Sequence, residues 1–243
     1  MKTLKQLTLL IAALLFVSFA QAQWGSKKIK GNGNTTKITR NTSDYDAVKC
    51  AGSMDFIFEK GTEGNLTLEG DSNLLEYIIT EVKNNTLVIK TKKGYTLKTG
   101  WNKQIKITVP FQDIEKISLA GSGDVITKDT IDAKKFEVRL AGSGDVTLDV
   151  NATDVSAGVS GSGDITLKGH TTNLSATVTG SGDFHGFYLQ AKNTEAKVTG
   201  SGGAEVVSTK SLKARVTGSG DIDYKGNPEK KDTKVTGSGD IDG

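Results

Sequence analysis

The sequence predicts an all-β fold, a right-handed parallel β-helix-like solenoid with a less regular β-rich N-terminal half. Three observations predict it: a tetrapeptide that recurs about every 19 residues, apolar residues that alternate with polar ones around it, and 29 glycines against 2 prolines in 243 residues. Alternation with a period of two is typical of strands with one buried face. Units that cannot bury a face alone are stable when they stack in parallel, and the crossover rule makes the coil right-handed.

Residues 1–22 are predicted to be a cleaved secretory signal. Basic Lys2 and Lys5 precede an apolar run from Leu9 to Val17, and Ala20-Gln21-Ala22 has the small-x-small pattern of a cleavage site. The run is too short to span a bilayer, and no later stretch is long enough, so we expect export without a membrane span to the periplasm, the cell surface or the medium. Residues 23–43 are predicted to be a flexible leader.

Charge and cysteine content exclude several classes of protein. Two of the 31 Lys and Arg residues lie in the signal, so the remaining chain carries one cation more than its 28 Asp and Glu. This balance gives no concentrated basic face for a nucleic acid. A single cysteine excludes a disulfide framework and a zinc site built on cysteines.

Residues 44–243 are predicted to form one domain, whose irregular β half spans 44–115. The stretch from Val48 to Phe58 matches the later repeat, with Met54 in place of its second glycine. A turn is predicted at residues 83–86 and one helical turn within 71–76. Further strands are predicted at residues 66–69, 78–82, 87–90 and 105–109.

Residues 116–243 are predicted to form the repeat stack. Each coil turns sharply once, and glycine accepts the positive φ or close backbone approach that such a turn needs. Gly-Ser-Gly-Asp begins at Gly121, Gly142, Gly161, Gly180, Gly218 and Gly237, and a Gly-Ser-Gly-Gly variant begins at Gly200.

The turns place one carboxylate in each coil but one. Stacked carboxylates repel and need backbone donors, water or a cation. We favour a structural role in capping the turn and keep calcium as the alternative, because calcium takes several oxygen ligands. Since one turn explains every member, the set does not resemble the paired carboxylates of a glycosidase, and we predict no catalytic residue and no cofactor. The column consists of Asp124, Asp145, Asp164, Asp183, Asp221 and Asp240.

Two aromatic residues are candidates for binding a partner. Tyr95 and Trp101 lie among lysines in one segment and would stack on sugars or contact a protein; the alternative is packing over the stack. His170 and His185 fall in consecutive coils, where a solvated pair is favoured over a metal site.

The last coil is predicted to have an open edge. It would add a strand from a partner or from a second copy of the chain, which would make a homo-oligomer. The alternative is that Asp240 and Asp242 block this edge by their charge.

Three stretches resemble the head GIN domain family of exported Bacteroidetes proteins, which are described as auto-transporter adhesins. They are Asp-Ser-Asn-Leu-Leu through Val-Lys-Asn-Asn-Thr-Leu-Val-Ile within 71–89, then Ile105–Pro110, then the ladder from Gly121. The resemblance covers about residues 44–243. It implies a pectin-lyase-like superhelix and a role in cell adhesion, and it assigns no catalytic residue.

We therefore predict a non-enzymatic scaffold for adhesion or interaction at the cell envelope, with a protein or glycan partner. Two alternatives stay open. One is a calcium- or glycan-binding module, and the other is an enzyme similar to polysaccharide lyases or hydrolases.

Overall fold

A computed structural model describes residues 26–101 and 103–243. The protein is all-β, with 68% strand and 2% helix, and its parallel coils stack into a β-solenoid of about seven turns. The predicted fold class is confirmed. The predicted signal at residues 1–22 lies outside the described residues. Within those residues, no helix is long and apolar enough to cross a membrane.

The N-terminal half contains short strands and one helical turn. They are β1 (Lys27–Lys30), β2 (Thr35–Asn41), β3 (Ala47–Gly52), β4 (Asp55–Lys60), β5 (Asn65–Asp71), α1 (Ser72–Leu75), β6 (Ile78–Lys83), β7 (Thr86–Thr91), β8 (Tyr95–Lys98) and β9 (Lys106–Phe111).

The stack is built from the strands that follow. They are β10 (Lys116–Gly121), β11 (Val125–Thr127), β12 (Ile131–Gly142), β13 (Val146–Gly161), β14 (Ile165–Gly180), β15 (Phe184–Gly200), β16 (Ala204–Val207), β17 (Ser211–Gly218), β18 (Ile222–Lys225), β19 (Lys230–Gly237) and β20 (Ile241–Asp242).

The first coil of the stack consists of β3 and β4, as the match of residues 48–58 to the repeat predicts. The chain then leaves the stack and returns as β10, which lies on β3 with Leu119 beside Cys50 and Gly121 beside Gly52. Each later coil keeps this register in the strand before its glycine turn, so that Leu, Val and Ala side chains form continuous inward columns there. A single hydrophobic core extends from Tyr45 to Ile222, and each fully buried aliphatic side chain contributes about 1.5–3 kcal/mol.

Residues between the first two coils cover the underside of the stack. Strand β7 pairs in parallel with β3, and β6 returns antiparallel to β7. The turn between them has Asn84 at φ +49° and Asn85 at φ +55°, the left-handed pair that a two-residue hairpin prefers. Strand β9 pairs in parallel with β4, and β5 is antiparallel to β9. The predicted strands and turn are present, and the core is closed at this end.

The predicted flexible leader differs from the structure over residues 26–43. Strand β1 pairs in parallel with β8, and β2 pairs antiparallel with β5 along its whole length. Ile38 packs against the core, and the Arg40 guanidinium donates hydrogen bonds to the carbonyls of Leu75 and Ile78. The glycines and asparagines between the strands suggested flexibility, but the free edge of β5 provides the partner that orders this segment.

At the opposite end, the last coil is exposed. Strands β19 and β20 each pair with one neighbour among the described residues. Val235 continues an inward column there and is 38% exposed. Strand addition at this edge stays a prediction.

Candidate functional site

Each Gly-Ser-Gly turn contains two glycines, and each of the two is required for a different physical reason. From Gly121 onward, the first glycine of each turn has φ between +121° and +145°, which other residues rarely adopt. Its carbonyl accepts two N–H groups from the next coil: Gly142 accepts from Ser162 at 2.9 Å and from Gly163 at 3.1 Å. The second glycine is required by contact, because a Cβ at Gly163 would lie 2.0 Å from the carbonyl oxygen of Gly144.

Met54 takes the place of the second glycine only in the first coil. The Cβ direction of each second glycine points toward the coil before it, as at Gly123, where a Cβ would lie 1.8 Å from the Met54 carbonyl oxygen. No earlier Gly-Ser-Gly turn exists beneath Met54 in the described structure. Its side chain is therefore accommodated, and it is only 2% exposed.

The Asp column caps the coils in sequence. The backbone N–H of Asp145 donates to Asp124 Oδ1 at 3.1 Å, and the N–H of Asp164 donates to Asp145 Oδ1 at 3.1 Å. The N–H of Asp183 donates to Asp164 Oδ1 at 2.8 Å. These are the backbone donors that the turn-capping interpretation of the column requires.

The column is interrupted at Gly203. Its N–H still donates to Asp183 Oδ1 at 2.5 Å, but it offers no carboxylate to Asp221 in the next coil. A cavity of about 260 Å³ opens beside the break, and the side chains of Asp183, His185, Glu205 and others line it. A Cβ at Gly203 would lie 3.3 Å from Asp183 Oδ1, so a side chain fits here only if the Asp183 carboxylate shifts by a few tenths of an ångström.

The cavity is acidic and holds one histidine. His185 Nδ1 lies 3.1 Å from Glu205 Oε2. One ligand atom from each of Asp164, Asp183 and His185 lies within 4.8 Å of the other two, a grouping that could hold a metal ion. Burial raises the pKa of the nearby Asp223 carboxyl, and the charges of Asp242, Asp221 and Glu205 raise it further. The titratable side chains that line the cavity are Asp183, His185, Glu205, Asp221 and Asp223, and Asp164 belongs only to the grouping that could hold a metal ion.

Sequence reasoning missed the environment of His185. It considered His185 only as a solvated pair with His170 of the preceding coil, but the structure aligns His170 with Gln190 and His185 with Glu205. The 20-residue step between these coils contains the signal that could have found the pair, since positions 185 and 205 are equivalent.

A β-bulge follows His185 in the same strand. The coil from Gly180 to Gly200 has one residue more than the two coils before it, and the register of β14 and β15 shifts between Thr166 and Lys168. Beyond the shift, Tyr188 is 78% exposed. The ammonium of Lys225 lies 3.9 Å from the ring centroid of the half-buried Phe187. The bulge therefore leaves Tyr188 exposed and Phe187 half-buried beneath Lys225, in the same strand as the cavity residue His185.

The structure gives Tyr95 and Trp101 different environments. The half-buried ring of Tyr95 packs against Tyr77, with centroids 4.7 Å apart, and the Lys92 ammonium lies 5.8 Å from its centroid. Trp101 is 99% exposed. Of the two, only Trp101 exposes its whole ring to a partner. Tyr95 packs partly against the protein, as the alternative interpretation predicts.

A groove of about 1000 Å³ runs along the side of the stack. Each coil contributes equivalent consecutive residues, with a buried residue such as Leu174 at the floor and polar residues on either side. On one rim, Asn173 Nδ2 donates to Asp154 Oδ1 at 2.7 Å and Asn193 Nδ2 donates to Asn173 Oδ1 at 3.0 Å. Sequence reasoning missed this groove because its members look like ordinary outward strand residues.

The glycine column, the capped coils and the long lateral groove define a β-solenoid, a class of repeat protein that uses extended surfaces for binding. This chain belongs to the family described as "Putative auto-transporter adhesin, head GIN domain", whose model matches residues 44–228. The resemblance inferred from the sequence is confirmed. Among curated proteins, no relative matches this chain.

Three solved structures have the same fold. A "putative adhesin" from Bacteroides fragilis is 25% identical with a TM-score of 0.78, over 88% of this chain and 99% of that chain. A "Putative lipid binding protein" from Parabacteroides distasonis is 32% identical with a TM-score of 0.72, over 89% and 99% of the two chains. A "putative adhesin" from the same species is 27% identical with a TM-score of 0.70, over 89% and 99%.

Proposed function

We propose that this protein is a non-enzymatic adhesion and interaction scaffold of the cell envelope, which holds an extended protein or glycan along its lateral groove. The observation that carries the proposal is the continuity of this groove across the coils. The description of the family and of two of its solved structures as adhesins supports it.

The groove suits a ligand that is itself a repeating chain. Successive coils are about 4.8 Å apart, so an extended ligand along the axis meets an equivalent set of polar groups at each step. The groove volume of about 1000 Å³ lies within the range of known ligand sites. Its side chains carry both signs of charge, as in the Lys213–Glu195 pair at 2.8 Å. Such walls favour a polar partner of low net charge over a nucleic acid.

The Asp column supports a scaffold rather than an enzyme. A hydrolase or lyase needs carboxylates with distinct roles and a defined separation, whereas these carboxylates repeat one backbone contact from coil to coil. We expect no turnover when the purified protein is incubated with acidic or neutral polysaccharides. Release of new reducing ends that disappears in Asp183→Asn would contradict a non-enzymatic role.

The proposal includes export on the N-terminal signal. The envelope location of an adhesin and the pattern of residues 1–22 support it. Cell fractionation should place the protein outside the cytoplasm, and sequencing of the mature N-terminus should begin at Gln23.

The groove can be blocked without changing the core. Ser175 lines the groove, whereas Thr179 is exposed on the same strand outside it. Ser175→Arg should lower binding to captured envelope proteins or glycans at least about tenfold, a loss of about 1.4 kcal/mol. Thr179→Arg is the matched control and should bind like the wild type.

Pulldown from envelope extract and a glycan array would provide the partner for this comparison, with melting curves to show that both variants fold. Equal binding by Ser175→Arg and the wild type would contradict the groove as the contact surface. Binding to phospholipid vesicles instead of any protein or glycan would contradict the proposed partner class.

A further inference from the structure

We propose that the bulged coil forms a carbohydrate site, in which Tyr188 stacks on a sugar ring and the cavity beside Gly203 binds the hydroxyls of the same saccharide. This site goes beyond the lateral groove. It shares no residue with that groove, so each can fail without the other.

The bulge is a local irregularity, and the stacking of the coils does not require it. The coils on either side continue the stack, and the glycine turns stay aligned through Gly180, Gly200 and Gly218. Bulges aim side chains and are over-represented next to functional sites. Gly186 is required here, because a Cβ would lie 2.8 Å from the Glu205 carbonyl oxygen and 2.5 Å from the ring of Phe184.

The bulge presents an aromatic ring where the previous coil has a charged residue. Tyr188 aligns with Lys168, which pairs with Asp149 at 3.2 Å. Tyr188 is 78% exposed and therefore contributes little to the core. A flat exposed ring with a polar hydroxyl is suited to the apolar face of a sugar and to its hydroxyls together.

The ring and the cavity are close enough to bind one ligand. On the facing strand, only two residue steps separate the partners of His185 and Tyr188, about 7 Å along the strand. Both side chains point outward on the same face. One sugar ring with its hydroxyls spans this distance.

The cavity offers the groups that hydroxyls need. Carboxylates accept hydrogen bonds, and a neutral His185 that donates from Nδ1 to Glu205 keeps Nε2 as a further acceptor. Glu205 holds His185 in place at 3.1 Å. Asp183 uses Oδ1 for the backbone N–H of Gly203, and its second oxygen remains for a ligand.

The charge of the cavity selects among ligands. Asp183, Glu205, Asp221 and Asp223 line it, so phosphate groups, uronic acids and nucleic acids are repelled. A neutral saccharide carries many hydroxyl donors and no anion. The acidic cavity thus excludes anionic ligands, and together with the exposed ring of Tyr188 it favours neutral oligosaccharides as the ligand class.

The test uses the protein without residues 1–22. Calorimetry measures its binding to neutral hexasaccharides of glucose, mannose, galactose and N-acetylglucosamine, and to oligolysine as a cationic probe. Tyr188→Ala should lower affinity for the bound sugar at least about tenfold, whereas Tyr188→Phe keeps the ring and should stay within about twofold of the wild type. Gly203→Asp restores the column, fills the cavity and should also weaken binding at least about tenfold. Ser175→Arg, in the other groove, should change nothing.

Melting curves show whether each variant is folded. The proposal is overturned if no probe binds the folded wild type, or if folded Tyr188→Ala binds as well as the wild type. It is also overturned if binding disappears with EDTA, which would indicate a bound metal, or if only oligolysine binds.

Discussion

Two neighbouring coils, from Gly161 to Gly180 and from Gly180 to Gly200, begin with the same turn but differ in length and in the strand that follows it. The first has 19 residues, and both of its turns continue to an Asp. The second has 20 residues, carries the bulge and continues to Gly203. Their glycine turns are nevertheless aligned. Backbone contact between coils constrains the residues of the turn. The outward residues of the strand after the turn make no such contact, so they can vary and form a binding site.

The largest effect should separate the two kinds of glycine in this comparison. A Cβ at Gly163 would lie 2.0 Å from the Gly144 carbonyl oxygen, whereas the nearest atom at Gly203 is 3.3 Å away. Gly163→Ala should destabilise the fold by about 3 kcal/mol or more, and Gly203→Ala by less than about 1 kcal/mol. Urea unfolding measures both. Equal midpoints would show that coil contact does not impose the second glycine.

A second variant makes the first coil more like the rest. Met54→Gly restores the consensus turn but removes a buried side chain that has no turn beneath it. The expected loss of stability is about 2–4 kcal/mol. Gly203→Asp, which also restores the consensus, should leave stability unchanged or raised. If Met54→Gly were neutral by thermal melting, burial of this side chain would contribute nothing to the stability of the first coil.

The Asp column should contribute through its oxygen rather than its charge. Asp164→Ala leaves the N–H of Asp183 without its acceptor at 2.8 Å, which should cost about 1–2 kcal/mol. Asp164→Asn keeps an acceptor and should cost less than half as much. An Asn variant as unstable as the Ala variant would argue for the negative charge.

Asp223 should make a small contribution that depends on pH. Burial and the charges of Asp242, Asp221 and Glu205 raise the pKa of its carboxyl, so the folded state binds this proton more tightly than the unfolded state. Stability then falls as pH rises from the ordinary pKa of Asp through the raised value. Asp223→Asn should therefore melt higher than the wild type at neutral pH, and the difference should vanish in acid.

Calcium should have the smallest effect. If the column only caps turns, saturating calcium leaves the melting midpoint of the wild type unchanged. A calcium site would instead raise the midpoint with increasing calcium, and Asp183→Asn would abolish the rise. That pair of results would support the alternative in which the protein is a calcium-binding module.

Much of the fold could be predicted because its determinants are local and repeated. The spacing from Gly121 to Gly237 predicts the turns, and the match at residues 48–58 predicts the first coil. The candidate site could be predicted only in part. The Asp column is visible in the repeat, but the groove and the role of Tyr188 depend on which outward residues become neighbours.

The solenoid, its glycine turns and its inward apolar faces follow from the sequence, because a period of two and a glycine at each close approach are properties of the chain. The pairing of β2 with β5, and the closure of the first coil by β7 and β9, are known only from the folded structure. These contacts join residues far apart in sequence. Their formation depends on free strand edges and coil register, which no local pattern encodes.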